Sequence, residues 1–392
     1  MRNVFIAGAN RTAIGKFGGS LIDWTAADMG TIVAAEAVRR AGLKPEQINE
    51  VVFGNARQAG GGPNVARQIG FRAGVPKSVP AYTVNQACGS GLRSIILAYN
   101  EILFGNSETI ISGGAESMSR VPYYAEAARW GARLGNVQLT DGMYKDGFLC
   151  PLSGLVMGET AEKLAVQYDI SRDEQDRYAL RSQQRAEAAT KEGRFNDEIT
   201  PIELKSKKGT TEFKTDEHIF TGVTIEKMAK LSPVFSKTGT VTAGNASGIT
   251  DGAAALVVIS EDEVNRAGIQ PQARIVDYTI AGVDPTIMGI GPVPAVKRLL
   301  ERQKISLNDI DLIELNEAFA AQVLACDREL KFDHDRLNVN GGAIAIGHPI
   351  GCTGTRIVVT LIHELQRRGG RFGLATLCIS GGMGIALLLE RV

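Results

Sequence analysis

Residues 84–118 read VNQACGSGLRSIILAYNEILFGNSETIISGGAESM, a run in which one periodicity gives way to another. Leu92, Ile95, Ile96, Tyr99 and Ile102 recur at helical spacing, which predicts an amphipathic helix over Gly91 to Phe104. Thr109-Ile110-Ile111 behind it has the β-branched, apolar character of a short buried strand. Val51-Val52-Phe53, Ala255 to Ile259, Leu312-Ile313 and Leu374 to Cys378 read the same way. A second amphipathic helix is predicted over Thr353 to Gln366, on Ile357, Val358, Leu361, Ile362 and Leu365. Strands alternating with helices make an α/β fold whose sheets are covered by helices.

The same order of features returns near the C-terminus. Gly91-Leu92-Arg93, an apolar helix and Ser112-Gly113-Gly114 are matched by Gly354-Thr355-Arg356, an apolar helix and Ser380-Gly381-Gly382. The Arg-to-Ser intervals are 19 and 24 residues, a loose match. Ile48 to Asn55 and Ile310 to Asn316 form another echo in the same order, so a duplicated α/β unit is favoured. The charged stretch 119–249 interrupts the first half, with Ser171 and Glu174 as a capping box before a long helix over Asp176 to Thr190. The Lys205 to Lys208 run ahead of Gly209 reads as a solvated hairpin turn. The expected parts are 1–118 plus 250–270 as an N-terminal half, 119–249 as an inserted lobe, and 271–392 as a C-terminal half.

Composition narrows the function. At 392 residues and 44% apolar, the chain is globular, with room for two or three domains. The 43 basic side chains balance 43 acidic ones, so no global field draws it to nucleic acid or a membrane. It has no apolar run of the roughly 18 residues a membrane helix needs, and Met1 to Ile6 looks like the start of a strand rather than a signal peptide. Five cysteines, an odd and sparse set, point to a reducing compartment, and a soluble cytoplasmic protein is expected. Gly numbers 45, clustered where turns or close backbone approach are needed.

Four places carry chemistry. Cys88 lies between a strand and a helix in Asn85-Gln86-Ala87-Cys88-Gly89-Ser90-Gly91, where backbone N–H groups favour a thiolate and should lower its pKa. Cys378 ends a buried strand, and the internal echo sets its turn near Gly113 beside one crevice. His348, in a rigid Gly-Pro loop before a helix, suits a general base, whereas His218, His334 and His363 read as surface or structural. Asn316 opens Asn316-Glu317-Ala318-Phe319-Ala320 and reads first as an N-cap; its amide can also hold a water or a carbonyl oxygen. No His, Cys and Asp spacing suggests a metal. No phosphate loop or dinucleotide fingerprint is present either, and Ser90 lacks the nucleophile-elbow spacing.

Together these motifs resemble the thiolase family over the whole chain, including Gly113-Gly114-Ala115-Glu116-Ser117-Met118-Ser119 and Thr242-Ala243-Gly244-Asn245-Ala246-Ser247-Gly248. The resemblance implies two halves forming a layered αβαβα body, with 119–249 as a loop domain over the active site. It implies acylation of Cys88, activation by His348, and Cys378 as the acid/base at the α-carbon. Asn316 would hold a water that, with His348, binds the thioester oxygen, and the backbone N–H groups of Cys88 and Ser380 would form a second oxyanion site. Ser247 would meet the pantetheine arm, with Met157, Phe235, Met288, Ala318 and Phe319 lining the acyl side and Phe220 free to stack on adenine. Relatives usually have Gly at 380, many short-chain biosynthetic members have His at 156, and many members have Arg near 220, where this chain has Ser380, Val156 and Phe220.

The implied activity is ping-pong condensation of two acetyl-CoA to acetoacetyl-CoA and coenzyme A, and the reverse thiolysis. Coenzyme A thioesters would be the substrates, with no prosthetic group, and a homotetramer or homodimer is expected. A 3-ketoacyl-CoA thiolase of fatty-acid breakdown is the first alternative. A non-catalytic acyl-CoA-binding protein is the second, and acylation of Cys88 separates it from an enzyme.

Overall fold

The computed structural model describes residues 2–207 and 209–392; Met1 and Lys208, the ends of two of the stretches interpreted above, lie outside the described residues. One mixed sheet of 10 strands runs through the molecule. From one edge its path is Leu312–Leu315, Phe372–Ile379, Met383–Arg391, Ala273–Gly282, Val4–Arg11, Thr250–Ser260, Thr109–Ser117, Glu50–Gly54 and Ala81–Val84. The short strand Gly15–Lys16 pairs with Thr250–Ser260 off that path. All five strand predictions therefore fall within the sheet.

The sheet is two half-sheets joined by a narrow seam. Among the described residues only Phe5↔Arg274 and Ile6↔Ala273 pair across it. Each half ends in parallel strands, with Glu50–Gly54 between Ala81–Val84 and Thr109–Ser117 on one side and Leu312–Leu315 beside Phe372–Ile379 on the other. The alternation of side chains along a strand fixes what each face meets. Ala253, Ala255, Val257 and Ile259 join the core under the helices Ala26–Arg40 and Val65–Arg72. Ala254, Leu256 and Val258 join a second core with the helices Ser90–Leu103 and Ile350–Arg368. From the other half-sheet, Ile385, Leu387 and Leu389 enter that same second core, while Ala386 and Leu388 meet the helices Pro292–Gln303 and Ala320–Leu330. The order is helix, half-sheet, helix pair, half-sheet, helix.

The echoed Gly91 and Gly354 are where the two central helices cross. A Cβ on Gly91 would sit 2.8 Å from Thr355 N, and one on Gly354 would sit 2.2 Å from Leu92 N, so only glycine lets the backbones approach. Thr355 Oγ1 donates to the Gly91 carbonyl across the crossing at 2.9 Å. Ser112-Gly113-Gly114 departs from expectation. It is not a turn but the middle of Thr109–Ser117, where added Cβ atoms would strike the Phe53 ring and the Gly351 carbonyl. Its glycines serve close packing, so the Cys378 turn has no partner turn there.

In the 119–249 stretch, Ser171 and Glu174 cap the helix Arg172–Lys191 as predicted, and Ile202–Ser206 pairs with Gly209–Phe213 as a hairpin. Buried Arg11 fastens this stretch to the body, with Nε donating to Glu198 at 2.6 Å and Nη1 to Asp216 at 2.7 Å. Truncating one member of such a pair typically costs about 3–5 kcal/mol, because the partner charge is left buried.

Candidate active site

The strand Ala81–Val84 leads into a tight corner before the helix Ser90–Leu103. Ala87 takes a left-handed φ of 46°, which an alanine holds only when its surroundings insist. Ser90 supplies that insistence: its Oγ accepts from Gln86 N at 2.9 Å and donates to the Ala87 carbonyl at 2.7 Å. Cys88 sits on this corner, half-buried against Ala56, Met118, Met143 and Ile350. Its thiol departs from expectation. Burial pushes the pKa up, and the Ser380 N–H, Arg57 and its own N–H pull it down by less. A helix start is a weak field beside the loss of water. Two backbone N–H groups, of Cys88 and Ser380, thus point at this sulfur. Ser380 lies outside the left-handed region, which Gly381 (φ 87°) and Gly382 (φ 85°) occupy instead, so serine serves without strain.

Cys378 is fully buried near the end of Phe372–Ile379. Burial, then the proximity of Cys88 and Cys326, raises its thiol well above the ordinary range. The two thiols are therefore neighbours. A Cβ on Gly89 would meet Ile379 Cδ1 at 2.5 Å, which shows how tightly the corner packs against that strand end.

His348 is buried in the loop before the helix Ile350–Arg368. Its Nδ1 lies 2.6 Å from Thr353 Oγ1, and that hydroxyl donates to the Pro349 carbonyl at 3.0 Å. A hydroxyl has one proton, so the ring must supply Nδ1–H and leave the lone pair on Nε2. Nε2 has no hydrogen-bond partner among the described residues. Burial first, then the Arg356 and Arg57 guanidinium groups, hold this imidazole down to about 3, so at any ordinary pH it is neutral, with the Nε2 lone pair open.

Asn316 is not an N-cap. The helix begins at Ala320 with Phe319 in the cap position, and Asn316 lies upstream, tied by its N–H to the Thr376 carbonyl at 3.0 Å. Its side chain is buried, and neither Nδ2 nor Oδ1 has a partner among the described residues. A buried amide left unpaired costs stability, which suits a group set to bind something brought to it.

Two carboxylates hold these groups, and motif reading passed over both. Glu116 is fully buried and accepts from Gly351 N at 2.8 Å, Ala56 N at 3.1 Å, Arg57 N at 3.0 Å and Asn55 Nδ2 at 2.7 Å. It ties the loop after Glu50–Gly54 to the start of the His348 helix. Glu317 accepts from Tyr178 Oη at 2.8 Å, Ser182 Oγ at 2.6 Å, Asn338 Nδ2 at 2.9 Å and Ile344 N at 3.2 Å, which anchors the residue next to Asn316. A glutamate inside an otherwise buried strand was the signal for Glu116. Glu116→Gln, which turns one acceptor oxygen into a donor facing N–H groups, is expected to lower unfolding stability by about 1–3 kcal/mol in urea titrations.

Met157, Phe235, Met288, Ala318 and Phe319 meet in one apolar cluster. Phe235 and Phe319 stack edge to face, with ring centroids 6.2 Å apart, and the Phe235 ring fills the space a Cβ on Gly158 would need. The loop bearing Ser247 lies along the strip carrying Ala318 and Phe319, with Ser247 N donating to the Ala318 carbonyl at 3.0 Å. Phe220 stands apart, 59% exposed, against His218, which in turn packs on Gly248. His218 Nδ1 meets the Ala345 carbonyl, a structural role as expected. No cluster of metal-ligating side chains occurs among the described residues.

Two thiols, a neutral imidazole and a free buried amide sit on a duplicated layered body. Residues 4–262 match the model for "Thiolase, N-terminal domain" and residues 269–391 that for "Thiolase, C-terminal domain". The chain belongs to the thiolase family. The acetyl-CoA acetyltransferase of Cupriavidus necator is 50% identical over 392 residues, 100% of each chain. The crystal structure of the Bacillus anthracis acetyl-CoA acetyltransferase matches this thiolase with a TM-score of 0.98 at 47% identity, covering 100% of this chain and 99% of that one. Human mitochondrial 3-ketoacyl-CoA thiolase in complex with CoA matches with a TM-score of 0.95 at 46% identity, covering 100% and 98%. In this thiolase Val156 is the N-cap of the helix Met157–Gln167; its N–H donates to Glu159 Oε2 at 2.7 Å, and its side chain offers no polar contact.

Proposed function

We propose that this thiolase is an acetyl-CoA C-acetyltransferase, an acyltransferase that joins two acetyl-CoA into acetoacetyl-CoA and coenzyme A and runs the reverse thiolysis. As the Cys88 sulfur attacks the first thioester, His348 Nε2 takes its proton, while the Cys378 thiol gives its own proton to the departing coenzyme A sulfur and is left as a thiolate. The charge that develops on the thioester oxygen is met by the N–H groups of Cys88 and Ser380. Cys378, as thiolate, then removes a proton from the methyl of the second acetyl-CoA, and the resulting enolate oxygen is held from the Asn316 and His348 side. The carbanion attacks acetyl-Cys88, the new carbon–carbon bond forms, and the Cys88 sulfur leaves with its electron pair and takes back the proton held on His348, while Cys378 keeps the α-proton, so that both thiols are restored. Such oxyanion donors are each worth roughly 100- to 1,000-fold in rate. The observation that carries this reading is the tautomer of His348, forced by Thr353 and Pro349, which leaves Nε2 with an open lone pair and no partner among the described residues. No prosthetic group is needed, since the chain's own thiols and imidazole supply every proton transfer.

The acyl side is taken to favour a short chain, because the Phe235 and Phe319 rings stack edge to face and Phe235 packs on Gly158, next to Met157. Val156, apolar where a polar contact to the thioester would shorten the preference, supports 3-ketoacyl-CoA thiolase as the second reading. Thiolysis of acetoacetyl-CoA beside a ketoacyl-CoA several carbons longer decides between them. Preference for acetoacetyl-CoA is expected, with Met288→Ala moving the ratio toward the longer substrate by roughly tenfold. Equal or better use of the longer substrate by the unaltered protein assigns it to fatty-acid breakdown, and cleavage of neither favours the acyl-CoA-binding protein.

The reading includes a cytoplasmic homodimer or homotetramer. No described helix is long and apolar enough to cross a membrane. The edge strand Ala81–Val84 is paired on one side only and half-exposed along its length, which suits pairing with a second copy.

A further inference from the structure

Beside the helix Arg172–Lys191 an open cavity of about 580 Å³ is lined by Arg181, Gln184, Arg185, Arg194, Asp335 and Arg368 among others. Gln183 and Glu187, which hold Phe220 and Gly222, lie on a different face of the same helix, since successive residues turn by about 100°. Four arginines and one carboxylate line it, and that carboxylate, Asp335, is 3.8 Å from Arg185 and almost fully exposed.

Two of the four guanidinium groups, Arg181 and Arg185, are held by neutral groups. Arg185 donates to the carbonyls of Leu337 at 2.7 Å and His334 at 2.9 Å, and Arg194 Nη1 donates to Asn340 Oδ1 at 3.0 Å. Arg181 lies over the Tyr178 ring with Nη2 beside His334 Nδ1, and Asp327 sits behind that histidine. Only Arg194 and Arg368 pair closely with carboxylates, Glu192 and Glu364, and Glu364 is shared with Arg367. Burial together with Arg181 pushes the Arg185 pKa down, and burial together with Arg194 does the same to Arg368. Arg181 and Arg185 therefore make no hydrogen bond to a carboxylate and are fixed in place before any ligand arrives.

We propose that this cavity binds a small polyphosphate-type anion, such as pyrophosphate or the diphosphate of a nucleotide, at a site separate from the thioester site. Planar guanidinium forks match phosphate oxygens two at a time, and the volume lies in the range of small-molecule sites. A chain whose charges balance overall offers little to a long nucleic acid, which favours a small ligand. Asp335 and Val339 of the cavity wall flank Asn338, whose side chain donates to Glu317 next to Asn316. An anion clasped there braces the segment that holds Asn316 in place.

Pyrophosphate is titrated into the full chain by calorimetry and thermal unfolding, against sodium chloride at matched ionic strength and with or without saturating coenzyme A. Saturable binding and a rise in Tm beyond the salt control are expected, both retained with coenzyme A bound. Arg181→Gln and Arg368→Gln should each weaken binding roughly tenfold while thiolysis of acetoacetyl-CoA is unchanged. Arg181→Lys, which keeps charge but loses the fork, should also bind more weakly and covers the case of a variant that fails to fold. No binding above the salt control, binding undiminished in both glutamine variants, or one-for-one displacement by coenzyme A would overturn the proposal. Loss of thiolysis in the unaltered protein bears only on the proposed activity, because pyrophosphate binding is read without turnover.

Discussion

Cys88→Ala is expected to lower thiolysis of acetoacetyl-CoA by at least ~10³-fold and to leave no acetyl adduct on the protein after exposure to acetyl-CoA. The size follows from the two-step route: without the sulfur no acyl group is stored, and neither half-reaction has a path. The fold should survive, since the side chain is half-buried and the corner is held instead by the Ser90 hydroxyl, bonded to Gln86 N and the Ala87 carbonyl. Circular dichroism and the urea midpoint should stay near those of the unaltered protein. Mass spectrometry of intact protein separates the outcomes. A variant that still becomes acetylated, or keeps more than about a tenth of the rate, would remove Cys88 from the nucleophile's place.

His348→Asn is expected to slow acylation of Cys88 by roughly 10²- to 10⁴-fold, the usual worth of a positioned general base. Asparagine can still reach Thr353, but it has no nitrogen able to take a proton. In the unaltered protein the imidazole is held down to about 3, so its base form is constant across neutral pH. Acylation should then rise from neutral to alkaline pH with the thiol, whose pKa burial has raised. A rate limb near pH 6.5 would contradict this. Stability carries the opposite signature. Below about 6.5 the unfolded chain protonates His348 while the folded chain does not, so this residue makes the protein less stable as pH falls toward 3. Urea midpoints measured across that range should fall less steeply in the variant.

Much of the fold was legible because its signals are local. Apolar spacing located the two central helices, and the paired Gly-x-Arg starts showed that the halves are related. Gly91 and Gly354 then proved to be the crossing of those helices, a contact between positions 263 residues apart. Ser112-Gly113-Gly114 misled for the same reason. Glycine marks a turn and a close approach alike, and only the chain on the other side, here Gly351 and Phe53, tells them apart.

By itself the sequence determined the residue types and their order: two cysteines, one histidine in a Gly-Pro loop, one asparagine after a strand, and the α/β alternation that carries them. Tertiary structure alone decided their states. It set the Cys88 thiol higher rather than lower, moved the Asn316 amide out of a cap and left it unpaired, and chose the basic nitrogen of His348. It also brought Glu116 and Glu317 beneath them as clamps and gathered the arginines of three separate segments round one cavity. Protonation and tautomer follow from loss of water and from partners far away in the chain, and such distances are fixed only once the layers have packed.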